Sequence, residues 1–297
     1  MTWPLAEHTV SRQLVRTLLN RQFPELASLP LRRAGEGFDN VQWRLGNELV
    51  VRLPRRGAAV VLLENELRWL SVVTRNVHLE TPAPLLEGRP DELFAWPWAI
   101  AHWVSGRPGD GVALATRSHN VERFVTFLRD LHQPAPSLAP QNPLRGGPLA
   151  SRDAAFHDRI HVLGGDQGAW RKLWRWSTTA PPEPRAVWLH GDLHPGNLIF
   201  RHDQLVGVID FGDLCAGDPA TDLAMLALLA PFRATTIAFE LYGASDDQRR
   251  RAIGWASLLS AMFLTLGHEG HQRYRRLGEL GRVNVAKWGA LAGFEVA

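Results

Sequence analysis

The chain has 297 residues, 45% of them hydrophobic and 21% charged, with a net charge of +3; it can bury one large core or two lobes, which excludes disorder of the whole. Its basic residues are nearly all arginine, Lys172 and Lys287 being the only lysines, and they are scattered rather than interleaved with aromatics, so no nucleic-acid groove is expected. The lone Cys215 excludes an intrachain disulfide framework and a cysteine-based zinc cluster and, with no continuous apolar stretch in residues 1–20, points to the cytoplasm.

Residues 29–54 predict a glycine-punctuated antiparallel sheet. A strand over 31–34 leads into Gly35-Glu36-Gly37, residues 41–45 alternate, Gly46-Asn47 makes a turn, and 48–53 return as a third strand. Apolar residues recur at helical spacing over 60–73, so a helix carrying Glu64 and Glu66 should pack on that sheet. A further strand pair is expected around 84–86 and 94–103. Beyond Gly106, Val121, Phe124, Val125, Leu128 and Leu131 mark one face of a helix that must stop before Pro134. Prolines and glycines between Gln133 and Pro184 leave only short helical pieces, 153–162 and 169–176. Strands follow at 187–189, 197–200 and 205–209, the last two joined by the turn 201–204, and the remainder reads as helical. Its first helix, 219–230, has Asp218 as cap, proline at the first position and Asp222 in the first turn. The apolar run 223–230 is too short to cross a bilayer, so no membrane partner is expected. The fold class is α+β, with a small antiparallel-sheet lobe over residues 1–101, a connection at 102–106 and a larger, mainly helical lobe over 107–297.

The most specific text is His190-Gly191-Asp192-Leu193-His194-Pro195-Gly196-Asn197, followed by Val208-Ile209-Asp210-Phe211-Gly212. Phosphoryl transfer to an alcohol needs one carboxylate beside the attacking hydroxyl and separate oxygen ligands for the magnesium that bridges the phosphates. A loop held between short strands supplies both. As plain turn chemistry the same residues would cap a turn, open a strand and close one. A second reading takes His190, Asp192 and His194, spaced HxDxH with His202 nearby, as a metal centre for hydrolysis, which leaves Asn197 and Asp210 without a task. A third, a catalytically silent nucleotide-binding module, is kept open by the lack of any lysine before Lys172.

The two motifs together resemble the aminoglycoside phosphotransferase family, which includes macrolide kinases and shares its fold with choline kinases and eukaryotic protein kinases. The resemblance is dense over 187–223 and looser in the first hundred residues. It implies a two-lobed, protein-kinase-like fold and a small-molecule kinase that moves the γ-phosphoryl group of ATP or GTP to a hydroxyl, in an antibiotic such as a macrolide or aminoglycoside. Asp192 matches the catalytic base, and Asn197 and Asp210 match the Mg2+ ligands. His194 is implied to lie near the transferred phosphate or to brace the loop. His190, Asp218 and Asp222 are implied to support the catalytic loop from behind. The phosphate-clamping cation falls on Arg52, with Val50 on the same strand face as a roof for the adenine. Arginine keeps the charge and can bind phosphate bidentately. Glu66 is its expected helix partner and Glu64 the rival. Gly35 and Gly37, with Asn40 at the loop's return, would let backbone approach the triphosphate, although hairpin glycines also serve as plain turn residues. Residues 96–106 resemble the inter-lobe hinge, with adenine contacts at His102 and Val104.

Two departures from the protein-kinase pattern are informative: Gly191 stands where protein kinases have the arginine that reads a phosphorylated activation loop, so that mode of control should be absent, and His194 stands where they have a phosphate-contacting lysine. Only five residues, 213–217, separate Gly212 from Asp218, so no peptide-docking platform fits and the acceptor should be a small molecule. Residues 231–297 carry six acidic against nine basic side chains, a balance that favours neutral or singly charged acceptors, macrolides among them, over polyamines. The pattern gives no sign of the oligomeric state.

Overall fold

Ser11 accepts a hydrogen bond from the Leu14 N–H at 3.1 Å and so opens helix α1 (Arg12–Gln22), whose Val15, Leu18 and Leu19 are buried against a sheet. The computed structural model describes residues 5–296; the outermost bounds expected for the two lobes, 1–4 and 297, lie outside the described residues. The sheet contains β1 (Leu31–Glu36), β2 (Asn40–Leu45), β3 (Leu49–Pro54), β4 (Pro84–Gly88) and β5 (Trp98–His102), antiparallel throughout in the order β1-β2-β3-β5-β4. Strand β1 runs through Gly35, so the turn that follows is tighter than expected: the Gly37 N–H donates to Asn40 O at 2.9 Å.

The pleat of β3 decides which side chains face helix α2. Val51 and Leu53 join Val15, Leu18 and Leu19 in the smaller core. Their neighbours Val50 and Arg52 therefore face the other side, toward helix α2 (Val60–Val73). On that helix Glu66 is buried and Glu64 exposed.

Residues 103–106 carry the chain from β5 to β6 (Arg107–Pro108), and the Trp103 N–H is bonded to Glu48 O at 2.7 Å. A second link joins the lobes, since Glu80 pairs by backbone with Val206 and Val208, each bond at 2.9 Å. After β6 come α3 (Leu114–His119), α4 (Val121–Leu131), α5 (Asp153–His157) and α6 (Gln167–Thr178). The five apolar residues expected on one face of α4 are all buried. The expected helical piece at 153–162 is broken, because after α5 the chain tightens into a 3-10 turn at Ile160–Leu163.

Strands β7 (Val187–Leu189), β8 (Leu198–Arg201), β9 (Gln204–Val208) and β10 (Cys215–Gly217) frame the two motifs; β6, β8 and β9 form one sheet and β10 pairs with β7 in another. Strand β10 is a correction to the expectation that everything after residue 209 is helical. Cys215, Ala216 and Gly217 are all buried and too few to alternate, so no period marks them as a strand. The single helix expected over 219–230 is two, α7 (Ala220–Leu223) and α8 (Leu226–Leu229). The chain tightens between them, with Met225 N bonded to Asp222 O and Ala227 N to Ala224 O, both at 3.1 Å. Helices α9 (Phe232–Tyr242), α10 (Asp246–His268) and α11 (Gln272–Leu291) complete the lobe; α10 opens with a capping box between Ser245 and Gln248 and packs its length against α11.

Candidate active site

The loop 190–197 leaves β7 and enters β8, and a buried carboxylate fixes its entry. Asp222 accepts hydrogen bonds from the backbone N–H of His190 at 2.8 Å and of Gly191 at 2.9 Å, and lies 3.2 Å from His132 Nε2. His132 Nδ1 in turn meets the Tyr242 hydroxyl at 2.8 Å. Burial alone would raise the Asp222 carboxyl, but His132, His190 and the Gly191 N–H outweigh it and hold it below its ordinary value. Asp218, expected to support the same loop, is engaged elsewhere: it caps Ala220 N at 3.0 Å and pairs with Arg251 Nε at 2.6 Å.

His190 commits both ring nitrogens to the backbone. Nε2 donates to Ile209 O at 3.0 Å, Nδ1 accepts from the Asp192 N–H at 3.2 Å, and the ring lies 4.4 Å from that of Phe211. Gly191 has φ +85° and packs so closely that a Cβ there would stand 2.7 Å from Asp213 O. The loop then turns its polar face outward. Asn197 Nδ2 donates to Asp192 O at 2.8 Å and sits 3.5 Å from the Asp192 carboxylate, which leaves Asn197 Oδ1 for another partner. His194 Nδ1 accepts from Gly196 N at 3.0 Å, so the neutral ring carries its proton on Nε2, 3.7 Å from Asp192 Oδ2. Burial lowers the pKa of His194, with Asp192 and Asp110 opposing.

Asp210 closes the constellation in a left-handed conformation, φ 66° and ψ 65°, costly for a residue with a Cβ. Among the described residues no side chain hydrogen-bonds its carboxylate. Although the residue opens on the cleft, desolvation by the protein packed around it, with Arg52 opposing and Glu66 and Asp192 adding, lifts its carboxyl to about 6. Behind it Arg52 grips Glu66 with both terminal nitrogens, Nη2 to Oε1 at 2.9 Å and Nη1 to Oε2. Burial opposes the charge on Arg52; Glu66, with Asp210 and Asp39, more than restores it.

Gly37, Asn40, Asp192, His194, Asn197 and Asp210 share one cavity of about 460 Å³. Gly35, Arg52 and Glu66 are not in its wall, nor are Val50, His102 and Val104 on the side expected to take the adenine. His102 is exposed at the end of β5, and Val104 is buried. The far wall is apolar: Leu259, Met262, Phe263 and Leu266 from α10 with Tyr274 from α11, and Phe263 and Tyr274 both meet the His194 ring edge-on. The cavity also takes in Asp110, Arg145, Asp213 and Arg273, none of them assigned a site role from sequence. Arg145 comes from the proline- and glycine-rich stretch that carries no period, so nothing in the sequence ties it to Asp192. Among the described residues no three His, Cys, Asp or Glu side chains form a metal-holding group. The HxDxH spacing does not make a metal centre, because His190 is already bonded on both nitrogens.

A five-stranded antiparallel lobe stacked on a helical lobe, with a loop carboxylate, an amide and a second carboxylate converging on the cleft between them, defines a phosphotransferase of kinase-like fold. The chain belongs to the phosphotransferase enzyme family, whose model matches residues 30–258. Among solved structures it is similar to the GDP complex of wild-type aminoglycoside 2'-phosphotransferase-IIIa, at 19% identity and TM-score 0.68 over 94% of this chain and 99% of that one. It is also similar to the streptomycin-ATP-APH(2")-IIa ternary complex, at 17% and 0.60 over 94% and 99%. A third is macrolide 2'-phosphotransferase MphH from Brachybacterium faecium, at 18% and 0.60 over 91% and 96%. At these identities the likeness speaks for the fold. No curated protein sequence matches the chain, and no helix among the described residues is long and apolar enough to cross a membrane.

Proposed function

We propose that the protein is a small-molecule kinase that transfers the γ-phosphoryl group of ATP or GTP to a hydroxyl of a neutral or singly charged acceptor. The observation that carries this reading is the convergence of Asp192, Asn197 and Asp210 on one cavity, with the buried Arg52–Glu66 pair directly behind. In this reading Asp192 orients the acceptor hydroxyl and takes its proton. The residues fit a hard cation: the Asn197 amide keeps an oxygen free, and among the described residues no side chain hydrogen-bonds the Asp210 carboxylate. Asn197 and Asp210 would hold magnesium there, and the ion would supply positive charge against the phosphates. Arg52 contributes a fixed positive charge toward the phosphates, oriented by Glu66. His194, neutral and seated against Phe263 and Tyr274, holds the loop and presents its Nε2 proton beside the base.

Residues 102–106 act as the hinge between lobes, with His102 and Val104 offering backbone groups to the base, and Gly35, Gly37 and Asn40 cover the phosphates. The single buried thiol of Cys215 suits a reducing cytoplasm. Of the similar solved structures one holds GDP and one ATP, and all three are named as aminoglycoside or macrolide phosphotransferases, which supports a hydroxylated antibiotic as acceptor. The apolar wall of α10 favours the macrolide type. A phosphate-transfer screen of antibiotics, amino alcohols and sugars with both nucleotides, read by mass gain of one phosphoryl group, tests the reading. Turnover with any acceptor that survives Asp192→Asn unchanged would remove the proposed base.

A further inference from the structure

We propose that Arg145 contacts the phosphoryl group in transit and is a further catalytic residue of this site, an inference that rests on the kinase reading above. The first observation is how firmly its segment is built into the catalytic loop's support. The Pro140 carbonyl accepts from Ala216 N at 2.8 Å, the Gly146 carbonyl from Asp218 N at 2.9 Å, and Gly146 N donates to Thr221 Oγ1 at 3.1 Å. Gly146 has φ +70° and faces Gly217 so closely that a Cβ on it would stand 2.7 Å from Leu189 Cδ1. Asn142 turns the segment, accepting from Leu144 N at 2.9 Å and donating to Asp213 Oδ1 at 2.8 Å. Arg145 is thereby delivered from behind to the residue before the base: a Cβ on Gly191 would lie 3.4 Å from its Cγ. The space freed by having glycine at 191 is filled by an arginine from elsewhere in the chain.

The second observation is the state of its guanidinium. The side chain is 12% exposed and lies in the cavity wall, with Nη2 3.8 Å from Asp192 Oδ1 and Nε 3.8 Å from Asp213 Oδ2. Neither approach is a hydrogen bond. Among the described residues its guanidinium makes one hydrogen bond, Nη1 to Leu144 O at a long 3.5 Å, and Nε is buried with no partner. A guanidinium has five N–H donors in a planar fork, so most of this one's donors have no hydrogen-bond acceptor among the described residues, and the side chain lines the cavity shared by Asp192, Asn197, Asp210 and Asp213. Those three carboxylates repel an incoming phosphoryl group, and a fixed cation among them offsets the repulsion. If Arg145 served only to neutralise Asp192 and Asp213, hydrogen-bonding distances to one of them would be expected.

In the transfer, the bond from the γ-phosphorus to the β–γ bridging oxygen breaks, a bond to the acceptor oxygen forms, the hydroxyl proton goes to Asp192, and the nucleoside diphosphate leaves. Negative charge lies on the three equatorial oxygens throughout. Donors fixed beforehand at that position stabilise the transition state more than the bound nucleotide.

The test needs no acceptor. ADP and GDP are titrated with magnesium, with and without aluminium fluoride as the phosphoryl mimic, into wild type, Arg145→Gln, Arg145→Lys and Asp210→Ala, with thermal melts to verify folding. Wild type should bind one diphosphate about 100-fold tighter when fluoride is present, the scale of one oxyanion donor set. Arg145→Gln should lose that enhancement while its plain diphosphate affinity stays within about threefold, and Arg145→Lys should regain part of it. An undiminished enhancement in Arg145→Gln, or none in wild type, overturns the proposal. Absence of magnesium-dependent binding of either diphosphate to wild type overturns instead the kinase reading beneath it.

Discussion

Removing Arg52 should damage stability and nucleotide binding together, and the two effects can be separated. Its side chain and that of Glu66 are 4% and 0% exposed, and the fork grips the carboxylate at both oxygens. Arg52→Ala leaves Glu66 charged, buried and without its partner, near Asp210. Deleting one member of such a pair costs ~3–5 kcal/mol. With an unfolding entropy of about 2.1 cal/mol/K per residue, that corresponds to a fall in Tm of ~5–8 °C for a chain of this size. Arg52→Lys keeps the charge but offers a single point donor in place of the fork, so it should fall between wild type and alanine. The double variant Arg52→Met/Glu66→Met removes both charges at similar volume and should recover stability to within ~1 kcal/mol. It should not recover affinity for magnesium-ATP or magnesium-GTP if, as proposed, the Arg52 charge behind the cavity acts on the phosphates. Calorimetric melts and nucleotide titrations on all three variants decide the matter. Wild-type nucleotide affinity in the folded double variant would refute the reasoning, since the pair would then be structural alone.

Asp192→Asn should lower turnover by ~100-fold or more while leaving nucleotide affinity within a few fold, measured by steady-state kinetics on whichever acceptor the screen returns and by titration. Asp210→Ala should abolish magnesium-dependent nucleotide binding, and Asn197→Ala should weaken it less, because only the carboxylate adds charge to its oxygen; equal small effects from both would contradict the site. The raised Asp210 carboxyl also carries a sign. The folded state holds this proton more tightly than the unfolded state does, so between about 3.8 and about 6 stability falls as pH rises. In the absence of ligand Asp210→Asn should therefore melt slightly above wild type at pH 7.5, by no more than ~1 kcal/mol given solvent access to the carboxylate, and equal it near pH 4. A macrolide should be phosphorylated with higher kcat/KM than kanamycin-like polyamines, given the apolar wall of α10 and the arginine at 273; clear preference for the polyamines would show that the cavity's charge was misread.

The parts of this molecule legible in the sequence are those whose physics is local. The hairpins of the N-terminal sheet announce themselves through alternation and turn residues, and α2 and α4 through their apolar faces. The catalytic loop and the Asp210 turn are short contiguous segments whose chemistry is written in order. The face that Arg52 takes follows from the period of two along β3, and the identity of its buried partner, Glu66 and not Glu64, needed the packed helix. What stayed hidden depends on contacts between distant segments. Asp218 and Asp222 read alike as acids at a helix start, yet one is drawn to Arg251 and the other to the loop backbone and His132. Strand β10 is three small buried residues defined only by its partner β7. Arg145 sits in a stretch without period, and its nearness to Asp192 exists only because Gly146 and Gly217 press together and residue 191 has no side chain. Residue 191 is glycine and the charge beside it comes from Arg145, so a motif search that stops at the loop finds a glycine and misses the charge.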